Sequence, residues 1–219
     1  MEYYWLLISH ITAFFPIYIC YLNYKKFKKS QSVFVIFNII FNTLFSVFYH
    51  TYDYDNIKLS LSTYNTWAFL DHVSSSAVIF LTVLYCLRLR SHNMYLFSYI
   101  YNSFFIIAYL ILDENGALFS SYYTISLSIF MILLNHKILI FCFNEYLIFT
   151  IILFLSIFIA ITTFYLGIYI NYQIFHPIWH IFIHTSAGLA CMLKNKIDLR
   201  LLDVNNDSII YNRTSSESI

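Results

Sequence analysis

Three histidines recur at every fourth position in the run FHPIWHIFIHTSAG: His176, His180 and His184. On a helix that spacing stacks side chains along one stripe, so two adjacent members can reach one metal ion. A third imidazole from another helix would complete a facial set. Three neutral imidazoles around an open fourth position are the ligands of a catalytic zinc, which polarises a water and lowers its pKa toward about 7. Imidazole also suits other first-row metals. Two more segments carry polar chemistry in apolar surroundings. FSVFYHTYD sets Ser46 and His50 four residues apart, hence on one helical face, and WAFLDHVSSS sets Asp71 at the start of an apolar run. An ionisable group inside a membrane span costs roughly 3 kcal/mol unless it is paired, hydrated or liganded, so its first reading is functional. Spacing alone leaves open whether His176 or His184 partners His180.

The elements that must position these residues are membrane spans. Of 219 residues, 60% are hydrophobic and only 11% charged, against about one-quarter charged in a soluble domain. Such a chain cannot cover a water-facing surface. Apolar windows of about 20 residues, the length a helix needs to cross the hydrocarbon core, fall at 3–22, 32–52, 66–87, 93–112, 117–135, 146–168 and 172–193. The expected fold is all-α, a seven-transmembrane-helix bundle. One membrane domain covers 1–198, and a polar tail, 199–219, is expected to be loosely ordered. The sixth boundary is the least defined, because the sequence from 138 to 170 stays apolar for longer than one crossing requires.

Lys and Arg are retained on the cytoplasmic side of short loops. Lys25, Lys26, Lys28 and Lys29 lie between spans one and two, Arg88 and Arg90 between three and four, Lys137 between five and six, and Lys194, Lys196, Arg200 and Arg213 beyond span seven. Eleven of the twelve basic residues thus share one face; Lys58 alone falls on the other, among Asp53, Asp55, Asp113 and Glu114. The N-terminus is expected outside and the C-terminus in the cytoplasm, in the plasma membrane or a secretory-pathway membrane. The first span, which lacks a basic region before it and a small-residue cleavage site after it, reads as retained. The sequons at Asn206 and Asn212 are then cytoplasmic and unglycosylated. Cys20, Cys86, Cys142 and Cys191 fall at cytoplasmic ends of spans, where they read as packing residues in positions that permit S-acylation, with no disulfide expected. A net charge of +1 without a basic run excludes nucleic acid as a partner and leaves membrane lipids.

With this orientation Ser46 and His50, Asp71, and His176 with His180 come to outer ends of three spans, at one depth. Singly, each has a plainer reading: Ser46 as a helix-packing residue, Asp71 as an interfacial cap. His10, His92 and His136, which have no such company in the sequence, are read as packing or hydrogen-bonding residues.

At these segments the chain resembles the myomaker and transmembrane protein 8 family, within the wider superfamily of alkaline ceramidases and progestin and adipoQ receptors. The Ser-x-x-x-His pattern matches Ser46 and His50, and SVFYHTYD looks like the family's second-span ending, including Asp53. Leu70 and Asp71 match the opening of the third helix. His176, Trp179 and His180 match His-x-x-Trp-His, with Gly188 in the small-residue stretch that follows. The resemblance covers the whole chain as topology and about thirty residues as motif. It implies a zinc ion held by His50, His176 and His180, with Ser46 and Asp71 around its water. Through Trp179 it favours His176 over His184, which would line the cavity about 6 Å deeper. Pro177 departs from a regular helix and should place His176 in a first turn or at a kink. The tail has no cysteine, so anchoring by tail acylation does not carry over.

Two functions are in view. One is a zinc-dependent hydrolase of a lipid amide or ester, with Asp71 accepting or orienting the proton of the water and Ser46 hydrogen-bonding the water or the developing oxyanion. The other, which the resemblance to myomaker suggests, is a membrane fusion or remodelling protein without catalysis, in which zinc ties helices two and seven together. A ligand-responsive receptor rests on fold analogy alone.

Overall fold

A computed structural model describes residues 2–54, 61–112 and 116–216, with side chains over 4–51, 65–112, 119 and 122–200. Asp53, Asp55, Lys58, Asp113, Glu114, Arg213 and both sequons lie outside the described side chains. Among the described residues every regular element is helical: α1 (Glu2–Ser9), a 3₁₀ turn (His10–Ala13), α2 (Phe14–Phe27), α3 (Ser30–Tyr54), α4 (Leu61–Cys86), α5 (Ser91–Leu112), α6 (Gly116–Leu134), α7 (His136–Glu145), α8 (Leu147–Tyr169) and α9 (Tyr172–Ser216).

Among the described residues, five helical stretches are long and apolar enough to cross a membrane: Tyr4–Phe27, Ser30–Thr51, Asn65–Cys86, Ser91–Leu112 and Leu147–Tyr169. A sixth is reached if Tyr122–Leu134 and His136–Glu145, bent by 77°, count as one. This all-helical architecture fits a multi-pass membrane protein. The sixth expected window, 146–168, agrees with the crossing Leu147–Tyr169 to within a residue, and the surplus apolar sequence after residue 135 forms α7, a separate helix turned away from α6. Helix α9 is not among the five. Its three histidines and Pro177 dilute the apolar residues of the window expected to cross.

The polarity is that of a protein in lipid. Ile111 and Ile148 are 76% and 72% exposed, whereas Ser46, His50, Asp71 and His180 are at most 5% exposed. Polar residues glue the helices from inside. Asn42 Oδ1 on α3 accepts hydrogen bonds from Ser74 and Ser75 on α4 at 2.9 and 2.8 Å, and Ser186 on α9 donates to Ser156 on α8 at 2.9 Å. Helix α9 packs most extensively on α8 and also touches α1, α2 and α4. Helices α2 and α9 run in the same direction, because Thr12 meets His184, Phe15 lies on Gly188 and Cys20 meets Cys191 in matching order. A Cβ on residue 188 would collide with the Phe15 ring, so glycine is what lets the two helices approach there.

At the end of the bundle where α2, α4 and the α9 crossing finish, Asp198 accepts from Lys194 at 2.6 Å, Arg88 at 2.7 Å and Lys29 at 3.0 Å. Lys28 and Arg88 adopt left-handed conformations (φ 53° and 57°) that stop α2 and turn the chain after α4 beside this carboxylate. The histidines occupy the other end: His180 and Lys194 are 14 positions apart on one helix, about 21 Å by helical rise.

Candidate metal centre

Each element of the site has a local cause. Pro16 lacks the amide hydrogen that would bond the Thr12 carbonyl, and its ring crowds that carbonyl. The helix loosens to the 3₁₀ turn His10–Ala13 in the preceding residues, which turns His10 and Thr12 inward. In α3 the four-residue spacing places Ser46 and His50 on the buried face. Asn171 caps α9, its side-chain oxygen accepting from the Ile174 amide at 3.2 Å. His176 therefore stands in the second turn of α9, just before Pro177, which remains inside the helix.

The imidazoles converge. His176 Nε2 lies 3.2 Å and His180 Nε2 3.4 Å from His50 Nε2, with all three residues buried. The rings stand nearly perpendicular to one another, at 73° for His50 with His176, 84° for His50 with His180 and 87° for His176 with His180. A neutral His50 ring offers at Nε2 either one proton or one lone pair, so at most one of these contacts is a full hydrogen bond. As ligands, the same nitrogens share a target. At zinc–nitrogen distances of 2.0–2.1 Å, tetrahedral ligands stand about 3.3 Å apart, which the two separations straddle. Both separations suit a shared metal ion, and the group whose ligand atoms all lie within 4.8 Å of one another, and which could hold one, is His10, His50 and His180. Tyr172 braces the cluster, with its hydroxyl 3.4 Å from His50 Nδ1 and its ring stacked on His176 at 4.2 Å. Trp179 packs beside both His176 and His180, at ring separations of 5.0 and 4.6 Å.

His10, read from the sequence as an ordinary packing or hydrogen-bonding residue, stands inside this group. Its ring lies 4.1 Å from that of His180, and ligand atoms of His10, His50 and His180 all lie within 4.8 Å of one another. Nothing in its spacing marks it. The available signal is Pro16, six residues on, which opens the helix where His10 sits. Its Nδ1 faces the Leu6 carbonyl at 2.9 Å and its Nε2 the Ser46 hydroxyl at 3.0 Å.

Asp71 is buried at the start of the α4 crossing, with the hydroxyls of Ser46 and Ser75 facing its carboxyl, the latter at 3.4 Å. Ser46 thus joins His10 to Asp71. His184 is held by Thr12, Oγ1 to Nδ1 at 2.9 Å, one turn deeper along α9 than His180, and its ring is 5.9 Å from that of His180. His72, next to Asp71 in sequence, bonds Tyr109 at 2.9 Å instead. His92 and His136 are exposed, on α5 and at the start of α7.

No protein-family model matches this chain, and no curated protein matches it.

Proposed function

We propose that the chain is a seven-span membrane protein, N-terminus outside and C-terminus cytoplasmic, that holds zinc on His50, His176 and His180 and hydrolyses an amide or ester bond of a membrane lipid. The observation that carries this reading is that His176 and His180 Nε2 on α9 lie 3.2 and 3.4 Å from His50 Nε2 on α3, all buried, with the buried Asp71 carboxyl on α4 linked to the cluster through Ser46 and His10. The positions of Lys29, Arg88 and Lys194 at the end opposite the histidines support the orientation. The close packing of α9 on α8 supports counting it as the seventh crossing, its histidines turned inward. The motif resemblance to the myomaker and transmembrane protein 8 family agrees with this ligand set and placement.

His10 is the competing third ligand. Its Nε2 already accepts from Ser46, whereas His176 Nε2 faces His50, so His176 completes the set with less rearrangement. Zinc, when bound, supplies a Lewis acid that polarises a carbonyl or a water. The chain's own groups do the rest. Asp71, shielded from bulk water, receives or orients the proton of the attacking water, and Ser75 holds its carboxyl. With a metal on Nε2, His50 would carry its hydrogen on Nδ1, 3.4 Å from the Tyr172 hydroxyl that can accept it. The apolar exterior and helical bundle accommodate the acyl chain of a lipid.

A second reading has one observation in its favour: His10 lies within ligand reach of His50 and His180. With His10 joining the other three histidines, the coordination would be closed and structural, as suits a myomaker-like fusion or remodelling protein. Asp71→Asn separates the two. In both, zinc content persists; under the hydrolase reading lipid turnover across ceramides, phospholipids and glycosylphosphatidylinositol lipids falls at least 100-fold. Undiminished function of the variant favours the structural site.

A further inference from the structure

We infer that His10 is a positioning residue that commits the Ser46 hydroxyl proton to itself, so that Ser46 acts on the metal side of the site only as a hydrogen-bond acceptor. This rests on the metal-site reading above and assigns His10 and Ser46 roles that differ from ligand and oxyanion donor.

The direction follows from counting protons. The Leu6 carbonyl can only accept, so His10 Nδ1, 2.9 Å away, carries the hydrogen. In the neutral ring Nε2 is then a lone pair, and the contact of 3.0 Å with Ser46 Oγ requires the serine to donate. A serine hydroxyl has one proton. With that proton spent on His10, Ser46 presents lone pairs to Asp71 and to the space beside the imidazoles, so a hydrogen on that side points toward Ser46 from a water, or from the Asp71 carboxyl once it has received a proton. Ser46 therefore orients a water and cannot donate to a developing oxyanion. The device is built by the 3₁₀ turn: residues His10–Ala13 bring His10 onto α3 and, two residues on, Thr12 onto His184. Thr12 itself donates to the Ser9 carbonyl at 2.6 Å, so it accepts from His184 Nδ1, and both contacts of the turn have a fixed direction.

The test uses the purified full-length chain in detergent with Co(II) as the probe, and ¹⁵N-labelled histidine for NMR. Loss of an outer partner lowers metal affinity about 10- to 100-fold without removing a ligand. His10→Leu and Ser46→Ala should each lower Co(II) affinity by about that factor while keeping one ion per chain and the tetrahedral visible spectrum. The double variant should be no weaker than the weaker single within about 2-fold, because residues acting through one contact are non-additive. His10→Gln, whose side-chain carbonyl can accept from Ser46, should restore affinity to within about 3-fold. NMR should show His10 with hydrogen on Nδ1, and Ser46→Ala should shift its Nε2 resonance. Multiplying losses in the double variant, an affinity unchanged by His10→Leu, a changed spectrum or stoichiometry in that variant, or hydrogen on His10 Nε2 each overturns the assignment. Wild type that binds no Co(II) refutes the metal-site reading, and the NMR result then still decides the direction of the His10–Ser46 bond.

Discussion

Replacing Asp198 by Asn should unlatch the end of α9 remote from the histidines, and the size of the effect follows from which of its partners are buried. Lys194 is 1% exposed at its side chain and Asp198 2%, with 2.6 Å between them, while Lys29 and Arg88 are 39% and 32% exposed. Partly exposed pairs contribute roughly 0.2–1 kcal/mol each. Removing one member of a buried pair leaves the other charge uncompensated and costs roughly 3–5 kcal/mol. Asp198→Asn should therefore destabilise by at least about 3 kcal/mol, and Lys29→Ala by less than about 1 kcal/mol. The pH dependence has a definite sign. Burial by itself raises the Asp198 carboxyl, but the hydrogen bond and charge of Lys194, and after it Lys29, hold it below its ordinary value. A carboxyl depressed in the folded state contributes stability that is complete above the unfolded value, about 4, and is lost as pH falls through the folded one. Thermal unfolding followed by tryptophan fluorescence in detergent, at pH 7 and again below pH 4, measures both. The wild type should lose stability over that interval and Asp198→Asn should lose less. Equal stability of Asp198→Asn and wild type at pH 7 would refute the reasoning that Lys194 depends on this carboxylate.

Gly188→Leu should destabilise by about 1–3 kcal/mol through collision with Phe15 and loosen the α2–α9 contact, seen as a lowered unfolding temperature; Gly167→Ala, where a Cβ would meet its nearest atom at an ordinary 3.6 Å, should be tolerated. In cells that glycosylate, Asn206 and Asn212 should remain unmodified while an acceptor sequon inserted among residues 113–115 is occupied, read as a mobility shift abolished by glycosidase. Glycan on Asn206 or Asn212 would reverse the proposed orientation.

The shared faces of Ser46 with His50 and of His176, His180 and His184 were legible because four-residue spacing on a helix is a statement about direction, and apolar surroundings make each polar residue conspicuous; which of His176 and His184 partners His180 was not. Their common end was legible from Lys and Arg, which are independent of them. His10 was not, because one histidine has no spacing; only a proline that breaks the following turn hints at its inward setting. Nor was α7. The bend after Leu134 occurs at Asn135 (φ −109°, ψ 31°) without proline or glycine, inside a sequence apolar enough to read as one continuous stretch. Asp198 is the last residue of the stretch 1–198 assigned to the membrane domain, and its burial against Lys194 ties it to the bundle. The seven-span count depended on a window whose polarity comes from its buried residues: His176, His180 and His184, turned inward on α9, are what lower its apolarity.

Metal analysis of the purified wild-type chain beside His180→Ala decides whether the buried histidines hold a metal ion. One zinc per chain in the wild type and less than a tenth of that in His180→Ala is the predicted result. Wild-type protein that retains no metal after purification without chelators, and takes none up from micromolar zinc, would contradict it.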